Sequence, residues 1–491
     1  MKTIDICNKS SMIVSNSRFA KLKAAIAEKI FFGQEPSAEL IAILLVYFVQ
    51  GILGLARLAV SFYLKDDLHL MPAEVSALLG IAALPWMIKP LFGFVSDGLP
   101  IFGYRRRPYL ILSGLLGALS WVVMATIVHS ATGVALTMML GSLSIAVSDV
   151  IVDSLVVERA RGESVSGAGS LQSLTWGASA VGGLITAYFS GALLQHFDTK
   201  TIFWITATFP LIVSAVAWLI AETPVTEKPD WSIVGTQLTQ LKQAITQKSI
   251  WLPTLFLFLW QATPTAEASF FYFSTNELGF EPEFLGRVRL VTSIAALLGI
   301  WVFQRFLKAV PFRTIFGWSI VLSSVLGMTM LLLVTHTNRT LGIDDRWFSL
   351  GDSVVLTAMG QIAFMPVLVL AARLCPPGVE ATLFALLMSV VNLAGLVSYE
   401  GGALLTHWFG VTDTNFDKLW LLVLVTNLST LLPLPLLGWL PIESGVPIQS
   451  VALEADSAKP ISVDASETSF LPNLVSQWIP AQRNPVEKPS E

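Results

Sequence analysis

The apolar residues of the chain are gathered into twelve blocks of roughly 25 residues each, with short polar segments between them. An α-helix rises about 1.5 Å per residue, so one block is long enough to cross a hydrocarbon core about 30 Å thick. Lipid offers the backbone no hydrogen-bond partners, and each block is therefore predicted to be helical. The predicted spans are residues 39–64, 73–97, 108–129, 133–157, 167–193, 201–221, 249–273, 283–307, 312–334, 351–373, 378–405 and 416–440. The pattern predicts an all-α polytopic membrane protein with about twelve transmembrane helices.

Composition excludes a soluble multidomain protein, because 54% of the 491 residues are hydrophobic and only 13% are charged. The sequence contains no HExxH motif, no GxxxxGKS or GxxxxGKT run, and no soluble segment large enough for an enzyme. The two cysteines, Cys7 and Cys375, are too few and too far apart for a disulfide scaffold or a metal site. We therefore predict neither enzymatic activity nor a cofactor, and no nucleic-acid partner.

The positions of the basic residues predict the orientation of the chain. With the N-terminus inside, most of the 30 Lys and Arg residues fall in the tails and inner loops. Residues 1–38 are then a cytoplasmic amphipathic segment, and residues 222–248 a cytoplasmic connector. Residues 441–491 are rich in Pro, Ser and Glu and are predicted to be a disordered cytoplasmic tail. Residues 1–38, before the first span, contain no apolar region of the kind that a cleavable signal peptide needs.

An internal repeat divides the helical region into two halves. YFSGALLQHF begins at Tyr188 and YEGGALLTHW at Tyr399, with six identities in ten positions and an offset of 211 residues. Span five therefore corresponds to span eleven, and an offset of six spans indicates parallel halves related by an axis along the membrane normal. The predicted six-helix bundles are residues 39–221 and 249–440. Convergence of small residues at helix-packing faces is the alternative explanation.

The loop between spans two and three reads GFVSDGLPIFGYRRRP from Gly93, and it resembles the signature of the major facilitator superfamily. An acid at a helix end can pair with a basic residue in one conformation and release it in the other. The residues assigned to gating on this ground are Asp97, Arg105, Arg106, Arg107, Glu158 and Arg161. A simple positive-inside cluster would explain the arginines but leaves Asp97 unexplained.

Polar and aromatic residues inside the spans are the candidates for binding a substrate, because an ionisable group deep in a bilayer costs several kcal/mol unless it meets water or a partner. The candidates are Arg57, Lys89, Asp149, Asp153, Gln172, Trp176, Trp260, Glu267, Arg287 and Asn392. Cations in this set suit carboxylates, acids suit a hydrogen-bonding heterocycle, and aromatic rings suit a flat one. Internal ion pairs, for example of Lys89 with Asp149 or Asp153, are the alternative. Proton coupling through a buried acid also stays open.

Three segments, GILGLARLAVSFYL, PWMIKPLFGFVSDGLPIFGYRRRPYL and SDVIVDSLVVERARGESVSGAGSLQSLTWGASAVGG, together resemble the folate-biopterin transporter family, a branch of that superfamily. The resemblance implies the major facilitator fold and secondary active transport of folates or pterins by alternating access. It also implies that Arg57, Lys89, Asp97, Asp149, Asp153 and Gln172 are the residues to test first. We expect the protein to be a monomer. The chain has no long transit extension, which favours a cyanobacterial type in the plasma membrane. A symporter of a sugar or nucleoside, or a membrane sensor that binds without transporting, would use the same scaffold.

Overall fold

The computed structural model describes residues 36–160, 165–224, 239, 242–243, 245–307, 310–374 and 380–441. The predicted amphipathic segment up to residue 35, most of the connector and the tail after residue 441 lie outside the described residues. Within the described ranges, eleven helices are long and apolar enough to cross a membrane. They run Ala38–Asp67, Pro72–Ser96, Arg107–Thr126, Ala131–Val156, Leu174–Leu194, Thr199–Leu219, Pro282–Leu307, Phe312–Val334, Asp345–Ala371, Leu383–Phe409 and Leu419–Trp439. We number these spans 1 to 6 and 8 to 12.

Span 7, predicted over residues 249–273, is broken into two shorter helices, Lys248–Gln261 and Glu267–Tyr272. Pro264 lies in the break, where its missing N–H and its ring oppose a continuous helix. The backbone groups freed by the break find partners on span 11. Ser398 Oγ donates to the Thr263 carbonyl at 2.6 Å, and the Thr265 N–H donates to the Ser398 carbonyl at 3.2 Å. The all-α fold of about twelve transmembrane segments is therefore confirmed, with one segment discontinuous.

The two halves repeat one backbone device at the ends of spans 1 and 7. Each span ends in a five-residue π-helix, Tyr63–Asp67 in the first half and Phe273–Glu277 in the second. A residue with positive φ follows each π-helix, His69 at 51° and Gly279 at 66°. The next span then begins at a proline in both halves, Pro72 or Pro282. This repeat involves different residues from the YFSGALLQHF and YEGGALLTHW segments, and it agrees with the two-fold parallel architecture.

The glycine shared by those two segments is required by close backbone contacts. A Cβ on Gly191 of span 5 would lie 2.2 Å from the Pro282 carbonyl oxygen of span 8, and one on Gly402 would lie 2.0 Å from the Thr265 carbonyl oxygen. No side chain fits at such distances. Gly191 therefore brings spans of opposite halves together, whereas Gly402 holds span 11 against the break in span 7.

The halves also touch at the ends of spans 1 and 7, on the side predicted to be outside. The Tyr272 hydroxyl donates to the Leu70 carbonyl, and Lys65 Nζ donates to Asn276 Oδ1 at 2.9 Å. The rings of Phe62 and Phe271 meet edge to face at 5.3 Å. These contacts hold the two halves together at that end.

Candidate functional site

Span 2 is interrupted at Lys89, its partly buried cation. The helix breaks into Pro72–Ala82, Leu84–Met87 and Lys89–Gly98, with prolines near the start of the second and third pieces. Prolines are tolerated at helix starts because no intrahelical partner is lost there. The break places Lys89 at the start of a new helix, facing span 4.

Four side chains from spans 1, 2 and 4 form what we call the inner cluster: Tyr47, Lys89, Asp149 and Asp153. Lys89 Nζ makes an ion pair with the buried Asp149 carboxylate and lies 3.5 Å from Asp153 Oδ2. The Tyr47 hydroxyl donates a hydrogen bond to Asp153. The side chain of Asp153 is 50% exposed, so solvent reaches this edge of the cluster. With one cation and two carboxylates, the inner cluster carries a net charge of about −1 when all groups are ionised.

The second half contributes to this region through the backbone of span 2. Asn392 Nδ2 of span 11 donates to the Trp86 carbonyl at 3.3 Å, and the Trp86 ring lies 5.4 Å from Lys89 Nζ. Asn392 therefore contacts the span-2 break directly, and it connects the inner cluster to the opposite half.

A second group of side chains lies where the halves meet, and we call it the junction cluster: Arg57, Glu267, Arg289 and Tyr399. The Tyr399 hydroxyl donates to Glu267 Oε2 at 3.0 Å. Arg289 is close enough to Arg57 and Glu267 for their charges to interact, and Tyr399 is close enough to Arg57. Spans 1, 7, 8 and 11 each supply one member, so the cluster draws on both halves.

The charges of the junction cluster are not balanced by ion pairs. Among the residues that the structure describes, neither Arg57 nor Arg289 has a carboxylate within 4.0 Å. Arg57 and Glu267 are exposed, and Arg289 is half-buried. Two guanidinium groups beside one carboxylate leave an excess of about one positive charge inside membrane-crossing helices. The arrangement favours an anionic ligand that enters between the halves.

The remaining predicted binding residues lie in different surroundings. Arg287 is exposed and pairs with Glu283 one turn earlier on its own helix, so the structure does not bring it to either cluster. The Trp260 ring packs edge to face on Phe316, 5.6 Å away, against the core of the second half. Trp176 is 56% exposed. The side chain of Gln172 lies outside the described residues.

The residues predicted to act in gating lie around the start of span 3. Glu222 accepts hydrogen bonds from the backbone N–H groups of Arg105, Arg106 and Arg107, at 2.6, 3.0 and 3.0 Å. A carboxylate is favoured at this helix start, where N–H groups lack intrahelical partners. Arg106 also pairs with Glu158 at 2.8 Å. The structure thus brings these arginines together with Glu158, while the side chain of Asp97 and the whole of Arg161 lie outside the described residues.

Sequence reasoning missed four members of these groups. Tyr47 and Tyr399 carry hydroxyls on apolar helices and resemble ordinary interfacial tyrosines in a sequence. Arg289 was not among the predicted binding residues. The spacing of the two arginines on span 8 offered one usable signal. Arg287 lies one turn from Glu283, with which it can pair, whereas Arg289 lies one turn from Gly286. Glu222 stands at the start of the predicted connector, where nothing in the sequence links it to span 3.

Charged side chains at the junction of two helical halves, in a chain with about twelve membrane-crossing segments, are typical of a multi-span membrane transporter. The chain belongs to the BT1 family, whose model matches residues 50–452. A protein of Synechocystis sp. (strain ATCC 27184 / PCC 6803 / Kazusa) named "Folate-biopterin transporter" is 64% identical over 420 residues, covering 86% of this chain and 85% of that relative. "Probable folate-biopterin transporter 2" of Arabidopsis thaliana is 35% identical over 404 residues and covers 80% of each chain. The family resemblance is confirmed.

Solved structures agree with the fold. The crystal structure of the nucleoside transporter NupG matches with a TM-score of 0.62 and 16% identity, covering 82% of this chain and 98% of that one. The crystal structure of a D-xylose-proton symporter matches with a TM-score of 0.61 and 14% identity, covering 83% and 98%. At such low identity these likenesses concern the fold alone, and they support the predicted major facilitator architecture.

Proposed function

We propose that this protein moves folates and/or pterins across a membrane by alternating access. The observation that carries the proposal is the junction cluster, where Arg57 and Arg289 of opposite halves lie close enough for their charges to interact and have no ion-pair partners among the described residues. A group held between two halves can be exposed to each side in turn when the halves rock about it. The names of the Synechocystis and Arabidopsis relatives support the choice of cargo.

The cargo contacts that we propose lie at the junction cluster and on span 5. Arg57, Arg289 and Glu267 offer charge and hydrogen bonds at the junction, and the exposed Trp176 offers a flat ring for stacking. Gln172, on the same helix as Trp176, remains a predicted contact of the cargo. Arg287 and Trp260 are left out of the proposed site, because one pairs with its own helix and the other packs into a core.

We propose that the inner cluster couples transport to a proton and does not hold the cargo. Lys89 already has two carboxylate partners there, and Asp153 is reachable from solvent. Protonation of one carboxylate would leave Lys89 with a single partner and would remove the negative excess of the cluster. Because Asn392 joins this region to the second half, such a change would alter the contact between the two halves.

Gating at the predicted cytoplasmic end is proposed for Arg106 and Glu158, whose ion pair joins the loop after span 2 to span 4. Arg105 and Arg107 have backbone contacts to Glu222 that fix the start of span 3. Asp97 and Arg161 remain predicted members of this group. We further propose that the protein is a monomer in the plasma membrane with both termini in the cytoplasm.

Uptake of labelled folate into proteoliposomes tests the proposed function. Vesicles that contain the protein are expected to accumulate label when an inward proton gradient is imposed, and an ionophore that collapses the gradient is expected to abolish accumulation. Unlabelled folate and biopterin should compete, whereas a sugar and a nucleoside should not. Competition by the sugar or nucleoside would instead assign the carrier to another solute. Saturable binding of folate without accumulation would assign the protein to a sensor.

A further inference from the structure

We infer that Arg57 and Arg289 form a carboxylate subsite that reads the glutamate tail of a folate, so that the carrier handles conjugated folates and unconjugated pterins differently. The inference rests on the proposed function and assigns one end of the cargo to one group of residues. A folate carries two carboxylates on its glutamate tail, whereas an unconjugated pterin carries none. The pair of arginines is the part of the protein that can sense this difference.

The packing of spans 1 and 8 on span 5 brings the two arginines to the same depth. A Cβ on Gly54 would lie 3.1 Å from Thr186, and Gly286 packs on the backbone of Tyr188 and Gly191. Arg57 follows Gly54 by three residues along a span parallel to span 5, which is a rise of about 4.5 Å. Arg289 follows Gly286 by three residues along the opposite direction, a shift of about 4.5 Å toward Thr186. Both arginines therefore extend at about the level of Tyr188.

The hydrogen-bonding groups at the junction are matched to a carboxylate. Each guanidinium presents a planar fork of N–H donors that binds a carboxylate through two parallel hydrogen bonds. Glu267 does not fill either fork, since it lies beyond ion-pair distance of both arginines within the described chain and already accepts from Tyr399. Two open forks on opposite halves match two carboxylates on one tail.

The inner cluster is the rival subsite, and its charge argues against it. Lys89 makes an ion pair with Asp149 and lies 3.5 Å from Asp153, so a further carboxylate would meet two negative groups and one cation already engaged. Like charges at such range repel strongly in a poorly solvated site. The junction cluster, with its positive excess, is the better anion subsite of the two.

Kinetics with two substrates test the inference. Arg57→Gln and Arg289→Gln should each raise the KM for folate at least about tenfold, the loss expected for a charge-assisted hydrogen-bonded pair, and change the KM for biopterin by less than about twofold. Arg289→Lys, which keeps the charge but loses the fork, should be intermediate. Arg287 is two residues from Arg289 and pairs with Glu283, so Arg287→Gln should leave the KM of both substrates unchanged. A parallel loss of folate and biopterin uptake in the Arg289 variants, with normal amounts of inserted protein, would overturn the subsite.

Binding of the isolated tail separates this inference from the proposed function. p-Aminobenzoylglutamate, which has the two carboxylates but no pterin, should raise the thermal unfolding midpoint of the purified wild-type protein and of the Arg287→Gln variant. It should have no effect on Arg289→Gln. This result would support the subsite even if the wild-type vesicles accumulate neither folate nor biopterin, an outcome that would refute the proposed function alone. Equal stabilisation of wild-type protein and Arg289→Gln by the tail fragment, or none of either, would refute the subsite.

Discussion

Replacement of Lys89 by methionine should destabilise the protein mainly through Asp149. The ion pair between these side chains is largely shielded, with 22% of the Lys89 side chain and 13% of the Asp149 side chain exposed. Removing one partner of a buried pair leaves the other charge without compensation and costs about 3–5 kcal/mol. Asp153 adds little to this cost, because it is half exposed and keeps its hydrogen bond from Tyr47.

The double variant Lys89→Met/Asp149→Asn separates charge from packing. It removes both charges at once, so most of the 3–5 kcal/mol loss should be recovered. The assay is the thermal unfolding midpoint of purified protein in detergent, for the wild type, the two single variants and the double variant. We expect the double variant to unfold closer to the wild type than Lys89→Met does. Additive losses in the double variant would refute the reasoning, since they would mean that the two side chains are not coupled. Both Lys89 variants should insert but lose uptake.

Three further predictions concern packing and the contacts between the halves. Gly191→Ala forces a Cβ against a backbone carbonyl at 2.2 Å and should impair folding or uptake. Gly177→Ala, whose Cβ would have no atom within 4 Å, should change neither. Equal effects of the two substitutions in insertion and uptake assays would contradict the prediction. Glu222→Ala removes the acceptor of three backbone N–H groups and should cost about 2–3 kcal/mol in thermal stability, and an unchanged midpoint would argue against the cap. Tyr272→Phe removes the hydrogen bond to Leu70 and should make the junction cluster more accessible to a labelling reagent from the outer side, so unchanged labelling would exclude this contact as part of the closure.

The fold followed from the sequence because hydrophobic length and the repeat are local signals. Twelve apolar blocks and the shared Gly-Ala-Leu-Leu segment predicted the architecture, and Pro85 and Pro90, on either side of Lys89, are a local signal for the break in span 2. The break in span 7 was not predicted, although Pro264 lies at its centre. A proline within an apolar block is equally consistent with a kink, and the backbone partners on span 11 that stabilise a full break are distant in sequence.

The site was predicted in part, and the reason lies in helix rotation. Asp149 and Asp153 are four residues apart, a spacing that puts both on one helix face, and an ion pair of Lys89 with either of them was the alternative that the sequence left open. Which of Arg287 and Arg289 points to the junction depends on how span 8 is rotated about its axis, and that rotation is set by the Gly286 contact with span 5. Two arginines two residues apart point in directions about 200° apart on a helix, so only one of them can face the junction, and the sequence alone does not give the rotation that decides which one.

The central claim is that water and cargo reach the junction cluster between the halves. Ser61 lies one turn from Arg57 and Ser293 one turn from Arg289, each with its hydroxyl bonded to the backbone of that arginine. Ser61→Cys and Ser293→Cys therefore place thiols beside the cluster without removing the arginines. Leu298→Cys, at an exposed apolar position of the same helix, is the matched control.

Labelling of these thiols by a membrane-impermeant maleimide, in a protein whose Cys7 and Cys375 are replaced by alanine, is the most direct test. A thiol reacts as its hydrated thiolate, so Ser61→Cys and Ser293→Cys should be labelled and Leu298→Cys should not. Saturating folate should slow labelling at both positions beside the cluster. Absence of labelling there, or labelling that folate leaves unchanged, would contradict a hydrated substrate site between the two halves.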